Sequence, residues 1–535
     1  MERTNTLRMQ AINDARGSQN WPEGSKPPGS VEGRGMSVAM PGSLEHRADV
    51  AFVQDAALSA RQHHAMDNSA RHLPTTPSTS PTASPPGPPR RWWGLPQIRR
   101  MRADYIGYLI ALQRQHGDLT RMHLLNWETW DLMSPRLARE ALVTHADKLL
   151  RWEHGIDVFR QIFGESVLVS EGDTWQRQRR MLMPAFTPKR VAGYATLMVE
   201  AAGVALDNAV PSGQAQGEVC MDDLWTDATM DVILRTLFSA SAQRDARDAA
   251  AATQVISATA FREMFVPFTL PDWLPLSGKA AKRRALRTLR RLIQRHIDAR
   301  TRGEAGTTER QDLLHMLLAL RDEETGESLS SQEIFDQCMV TFQAGHETSA
   351  TALLWWSLLL ATHPQAARRA QAEVDDVLGS ATPGAPDMER LPWLVATLKE
   401  ALRLYPPVSA LMNRRVVSPF TLDGHVVPSG AVLRISPWVL HHDERWFPQA
   451  TQFQPERFLE DAPSPPKGAW MPFGTGPRVC IGQHFAMLEM TLLAAMLLQR
   501  YTLDLPDASP AAYQPRMHVT LRPQQPVRLV LRRRA

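Results

Sequence analysis

Residues 473–482 read Phe473-Gly474-Thr475-Gly476-Pro477-Arg478-Val479-Cys480-Ile481-Gly482. The reading of the whole chain turns on this loop. A phenylalanine stands seven residues before the cysteine, and an apolar helical pattern follows at Phe485, Leu488 and Leu492. One cysteine cannot build a zinc site, which needs several ligands. It suits a single axial thiolate bond to a haem iron. The glycines let the backbone turn tightly and approach a flat macrocycle. The following helix aims its amino end at the sulfur and favours the thiolate.

The loop resembles the haem-binding loop of the cytochrome P450 superfamily. That pattern is Phe, any two, Gly, any, Arg, any, Cys, any, Gly, and Phe473, Gly476, Arg478, Cys480 and Gly482 fill its fixed positions. The ordinary alternative is a buried free cysteine beside a helix. Five matched positions in ten outweigh it.

The bulk composition agrees with a soluble globular protein. Hydrophobic residues make up 43% and charged residues 22%, both within the ordinary range. Cys220, Cys338 and Cys480 are far apart and odd in number, which argues against a disulfide framework and for a reducing compartment. A net charge of +4 is too mild to signal nucleic-acid binding. The most apolar run, 352–361, is too short to span a bilayer and reads as a buried helix. No signal-peptide pattern stands at the amino terminus. Together with the Ala- and Arg-rich composition, this reads as a cytoplasmic, bacterial protein without a transmembrane anchor.

Residues 1–90 form a Pro-, Ser- and Gly-rich tail with a linker composition at 75–89. The tail is either regulatory or a sign of an over-long start, with Met36 and Met40 as later candidates. Residues 91–535 form one large domain, mainly α with small β-sheets. A helix is expected over 104–116, stopped by Gly117. Strand character is expected near 120–125 and over 420–435, with Asp423-Gly424 as a hairpin signal. A closing strand pair is expected at 518–521 and 527–531.

Three further motifs follow the resemblance. Ala344-Gly345-His346-Glu347-Thr348-Ser349 is similar to the family's oxygen-activation motif. Ala344 and Thr348 share a helix face, and Thr348 can bond back to the Ala344 carbonyl and open a groove, to which Gly345 adds room. The resemblance makes Glu347 the proton relay and Thr348 the holder of the reacting oxygen. Glu400 and Arg403, at i and i+3, join Arg457 as a bracing triad behind the cysteine loop. Trp175 and Arg179, at i and i+4, bind a haem propionate by resemblance, with Arg478 and either Arg414 or Arg415 as further partners.

The resemblance therefore implies the triangular fold of the family, haem b as cofactor, and a monomeric monooxygenase. It inserts one atom of O2 into a hydrophobic small molecule by hydroxylation or epoxidation. Electrons come from an external ferredoxin or flavodoxin with its NAD(P)H reductase. Arg177, Arg179 and Arg180, with Lys189 and Arg190, offer an acidic donor a docking site. Phe261, Met264, Phe265, Val266, Phe268, Leu411 and Met412 are the apolar pocket candidates, with Arg262 as a carboxylate partner. A peroxide-driven enzyme and a non-catalytic haem sensor are the competing readings; the Glu347-Thr348 pair argues for oxygen activation.

Overall fold

The longest element, Ser331–Thr362, sets the geometry of everything else. Ser330 and Glu333 form a reciprocal capping box at its start, which satisfies two amide donors that a helix end leaves unpaired. The computed structural model describes residues 84–241, 246–264, 271–274, 278–303, 312–322, 324–506 and 513–534. Residues 1–83 of the expected tail lie outside these, as do the pocket candidates Phe265, Val266 and Phe268.

The central helix is buried on nearly every side along its second half. A helix that is apolar all round must sit inside other helices. Its apolar run carries Trp355 and Trp356, both fully buried. Each buried indole finds a partner, as buried Trp usually must. Trp355 Nε1 donates to Leu521 O at 2.7 Å and Trp356 Nε1 to Thr397 Oγ1 at 2.9 Å. Helices Met221–Phe238, Pro392–Leu404 and Gln483–Arg500 pack around it in one core. The helix Ala246–Met264 lies across its first half, where Thr253 and Ser257 meet Gln343 and Glu347.

The main sheet has five strands in the order Leu119–Leu124, Trp127–Leu132, Val432–Ile435, Arg414–Val416 and Leu149–Arg151. It brings segments nearly 300 residues apart to one side of the site. The helix expected before Gly117 spans Tyr105–His116, capped by Asp104, whose side chain accepts from Gly107 N at 2.9 Å. Asp423 and Gly424 both take positive φ, 52° and 78°, between paired strands Phe420–Leu422 and His425–Val427. That is the two-residue hairpin turn the sequence signals.

The closing strand pair is corrected. Leu521–Pro523 folds back on Pro515–Met517, while Arg528–Arg533 lies between Gln216–Cys220 and Tyr501–Asp504. Period-two alternation marks a strand but does not choose its neighbour.

Candidate active site

The cysteine loop is shaped by two left-handed glycines. Gly474 and Gly476 have φ of 73° and 74°. A Cβ on Gly476 would stand 2.1 Å from Leu142 O, so no other residue fits there. Cys480 N donates to Phe473 O at 2.9 Å and ties the phenylalanine to the cysteine. Cys480 is unpaired and carries exposed surface, although protein encloses it. The two observations agree when that surface faces an internal space. Burial pushes the thiol up from 9.0, while the Gly482 backbone N–H and then Arg179 pull it down. Arg179 reaches the loop directly, its Nη2 donating to Val479 O at 2.9 Å.

Beside the loop lies an imbalance of charge. Glu171 takes Arg151 Nε at 2.7 Å and Arg478 Nη2 at 2.5 Å. Arg414 joins the same cluster, feeling Arg151 and Glu171, and donates to Met412 O. Three guanidinium groups thus share one carboxylate. Burial first, and Arg151's charge second, push Arg414 down to about 10 and Arg478 down to about 9. Arg478 also stacks on the Trp175 ring, 3.6 Å from its centroid, with Arg179 at 5.9 Å. Arg415 projects from the other face of the same strand and pairs with Glu153 at 2.5 Å. Of the two neighbouring arginines, Arg414 faces the cluster.

An apolar cavity of about 380 Å³ opens on the first half of the central helix. Ala344 is exposed there in mid-helix, and Thr348 Oγ1 donates to Ala344 O at 2.9 Å. Both line the cavity. Glu347 is buried and enters a ladder between two helices. Ser257 Oγ and Thr520 Oγ1 each donate to its Oε1 at 2.9 Å, and Gln343 Nε2 reaches Oε2 at 3.4 Å. Thr253 Oγ1 bonds Gln343 at 3.1 Å, one turn earlier on both helices. Gly345 faces elsewhere. A Cβ on it would stand 2.7 Å from Ile233 Cδ1, so its missing side chain lets Met221–Phe238 pack close and does not widen the cavity.

The family model for cytochrome P450 matches residues 85–531. The chain belongs to the cytochrome P450 family. It is 31% identical over 443 residues to a cyclooctat-9-en-7-ol 5-monooxygenase of Streptomyces melanosporofaciens, covering 80% of this chain and 93% of that protein. A putative cytochrome P450 132 of Mycobacterium tuberculosis is 32% identical over 397 residues, covering 70% and 82%. Arabidopsis thaliana cytokinin hydroxylase is 30% identical over 447 residues, covering 80% and 85%. The chain is a haem-dependent monooxygenase that uses O2, a hydrophobic substrate and redox partners.

The residues fit the cofactor of this P450. Haem b carries two carboxylates, and the Arg151–Arg414–Arg478 cluster has two cations beyond its one acid. Cys480 is a free cysteine with exposed surface, and a Cβ on Gly482 would meet no protein atom within 4 Å.

Behind the loop, Arg403 and Glu400 are fully buried and doubly bonded, at 2.7 and 2.8 Å. Arg403 also caps three carbonyls, of His441, Ala450 and Gln452, the full pairing a buried charge needs. Arg457 stands further off, 3.5 Å from Glu400, and its Nη2 donates to Pro448 O and Gln449 O. The sequence gives no hint of His441. Its Nδ1 donates to Arg403 O at 3.1 Å and its Nε2 accepts from Met471 N at 2.9 Å. That histidine links the buried pair to the start of the cysteine loop. Burial pushes it well below 6.5 and keeps it neutral, as both bonds require.

The expected basic docking run is largely spent inside the P450. Arg177 pairs with Glu333, and Arg180 with Asp322 and Glu324. The pocket candidates Phe261, Met264, Leu411 and Met412 do line the cavity. Arg262 is exposed and bonds Ala258 O and Thr259, so it offers the cavity no charge. Ser257, Thr520, Arg151 and Glu171 were not legible as site residues, and neither were Trp127 and Trp152, which line the cavity. Each comes from a separate element and carries no motif of its own.

Proposed function

We propose that Cys480 is the axial ligand of haem b and that Arg414 and Arg478, steadied by Arg151 and Trp175, hold its carboxylates. The charge imbalance around Glu171 carries this reading. Arg179 holds the ligand loop and its charge favours the thiolate. Phe473, Gly476 and Gly482 shape the loop. Bound haem supplies dioxygen activation and oxygen insertion, and a thiolate ligand favours O–O cleavage. The protein supplies orientation, exclusion of water and protons. Thr348, whose hydroxyl donates to Ala344 O, turns its oxygen lone pairs to the cavity and holds a proton donor there by accepting from it. Glu347 relays protons toward the site, held in place by Ser257 and Thr520.

The apolar lining and the Streptomyces relative named for a cyclic alcohol support a bulky terpenoid-like substrate. The reading includes a monomer of residues 91–535 behind an amino-terminal tail, in the bacterial cytoplasm, served by a ferredoxin or flavodoxin. Three unpaired cysteines support the reducing compartment. Cys480→Ala tests the core of the proposal: the carbon-monoxide spectrum of a thiolate-bound haem disappears, and its survival would remove Cys480 from the role. Thr348→Ala releases peroxide in place of product; unchanged coupling refutes its proton role.

A further inference from the structure

Residues 90–102 read Arg-Arg-Trp-Trp-Gly-Leu-Pro-Gln-Ile-Arg-Arg-Met-Arg. They contain five arginines and no acid. Arg90, Arg91, Arg99, Arg100 and Arg102 are all exposed. The ion pairs among the described residues include none of them.

The same segment holds three exposed large apolar side chains, among them Trp92, the most exposed of those described. Trp92 is 81% exposed, Trp93 69% and Leu95 50%. Burying a tryptophan is strongly favourable, so leaving two adjacent ones in water needs a reason. The backbone displays them actively. Trp92 and Trp93 both take positive φ, 47° and 52°, a conformation rare and costly for bulky residues. Gly94 follows at 77°, where a Cβ would stand 2.3 Å from His123 O. The strap is nonetheless fixed to the edge of the main sheet. Arg121 N donates to Pro86 O at 3.0 Å and Leu125 N to Trp93 O at 2.7 Å. Strain of this kind persists only where surrounding structure holds it.

Beside the strap, a groove of about 720 Å³ is lined by Arg91 and Arg100 together with Pro96, Ala111 and Leu112. On its inner side, the helix Leu95–Ala103 sends Ile98 and Met101 to the wall of the substrate cavity. The aromatic and cationic surface is therefore the outside of a cavity wall.

We propose that this strap docks the protein on the surface of an anionic lipid membrane. Tryptophan suits that interface because its ring is apolar and its N–H is polar. Clustered arginines suit it because anionic headgroups attract them. Among the described residues no helix is long and apolar enough to cross a membrane. Docking would place a wall of the cavity against the phase in which an apolar substrate concentrates. The inference does not depend on which residues hold the haem.

The test is co-sedimentation of the full haem-loaded chain with vesicles, at low and high salt. One set is pure phosphatidylcholine and the other carries about one third phosphatidylglycerol. Binding is expected to the anionic vesicles, weakened by salt. Trp92→Ser with Trp93→Ser lowers the partition by about tenfold or more. Arg90→Gln and Arg91→Gln each lower it about fivefold. These side chains are exposed, so the haem spectrum stays unchanged and reports an intact fold. Failure of the full chain to sediment with anionic vesicles overturns the proposal, and so does binding indifferent to the tryptophan changes. Capture of an acidic protein through these residues, without vesicle binding, assigns the surface to a protein partner and overturns it equally.

Discussion

Glu489 lies fully buried in the helix Gln483–Arg500, nine residues beyond Cys480. Ser349 is the one polar side chain that bears on its carboxyl, and its weak hydrogen bond offsets little of the cost of burial. Burial pushes this carboxyl up from 4.5 to about 8. The physical cause is that ionisation would leave a bare charge in an apolar core. The raised value means that the folded state holds a proton which the unfolded chain gives up near pH 4.5. Stability from this group is therefore complete below that pH and is lost as pH rises through about 8. Each pH unit in that window removes about 1.4 kcal/mol, so the loss at pH 7 is about 3 kcal/mol. Glu489→Gln is close to isosteric and cannot ionise. Its constant packing offset cancels in a comparison across pH. For a chain of this size, about 3 kcal/mol corresponds to roughly 3 °C in midpoint. The assay is thermal unfolding of both haem-loaded proteins at one scan rate, from about pH 5 to about pH 8, since unfolding of large proteins is often irreversible. The variant is expected to gain on the wild type by about 1 °C per pH unit. Parallel curves across that range would refute the assignment of Glu489 as a neutral acid.

Ser257→Ala removes one of two hydroxyl donors to Glu347; product per reducing equivalent falls severalfold and peroxide rises, while the spectral binding constant of the substrate holds. Equal coupling in variant and wild type would show that Ser257 does not position the relay. His441→Ala breaks the link between Arg403 and Met471 and costs about 2–4 kcal/mol through two unpaired buried groups; haem is lost faster on dilution, and an unchanged haem off-rate counts against the link. Gly345→Ala drives a Cβ toward Ile233 and costs about 1–2 kcal/mol by overpacking. Adding Ile233→Val removes the clashing Cδ1 and restores midpoint and activity together; no recovery in the double variant would place the strain elsewhere.

Much of the site was legible because parts of it are local. The cysteine loop is ten residues whose glycines, arginine and cysteine act on one another through nearby backbone. Thr348 and Ala344 needed only the period of a helix. Glu400 and Arg403 needed only a turn. The hairpin at Asp423-Gly424 needed two residues that tolerate positive φ. In each case the interacting atoms are separated by a few bonds, so spacing stands in for geometry. The expected role of Gly345 illustrates the limit: the motif placed the glycine correctly, but its neighbour Ile233 comes from another helix.

The sequence by itself determined the family, the expectation of one cysteine ligand for its haem, and a Thr and an acid side by side on one helix. Tertiary structure decided which charges surround them. It gathered Arg151, Arg414 and Arg478 around one Glu171 and turned Arg415 outward on the opposite face of its strand. It spent Arg177 and Arg180 on internal pairs. It hung Glu347 from Ser257 and Thr520, and it buried Glu489 with only Ser349 beside it. The reason is physical. Periodicity fixes which face a side chain occupies on its own element, while burial and Coulomb interaction depend on atoms brought together by packing from hundreds of residues away.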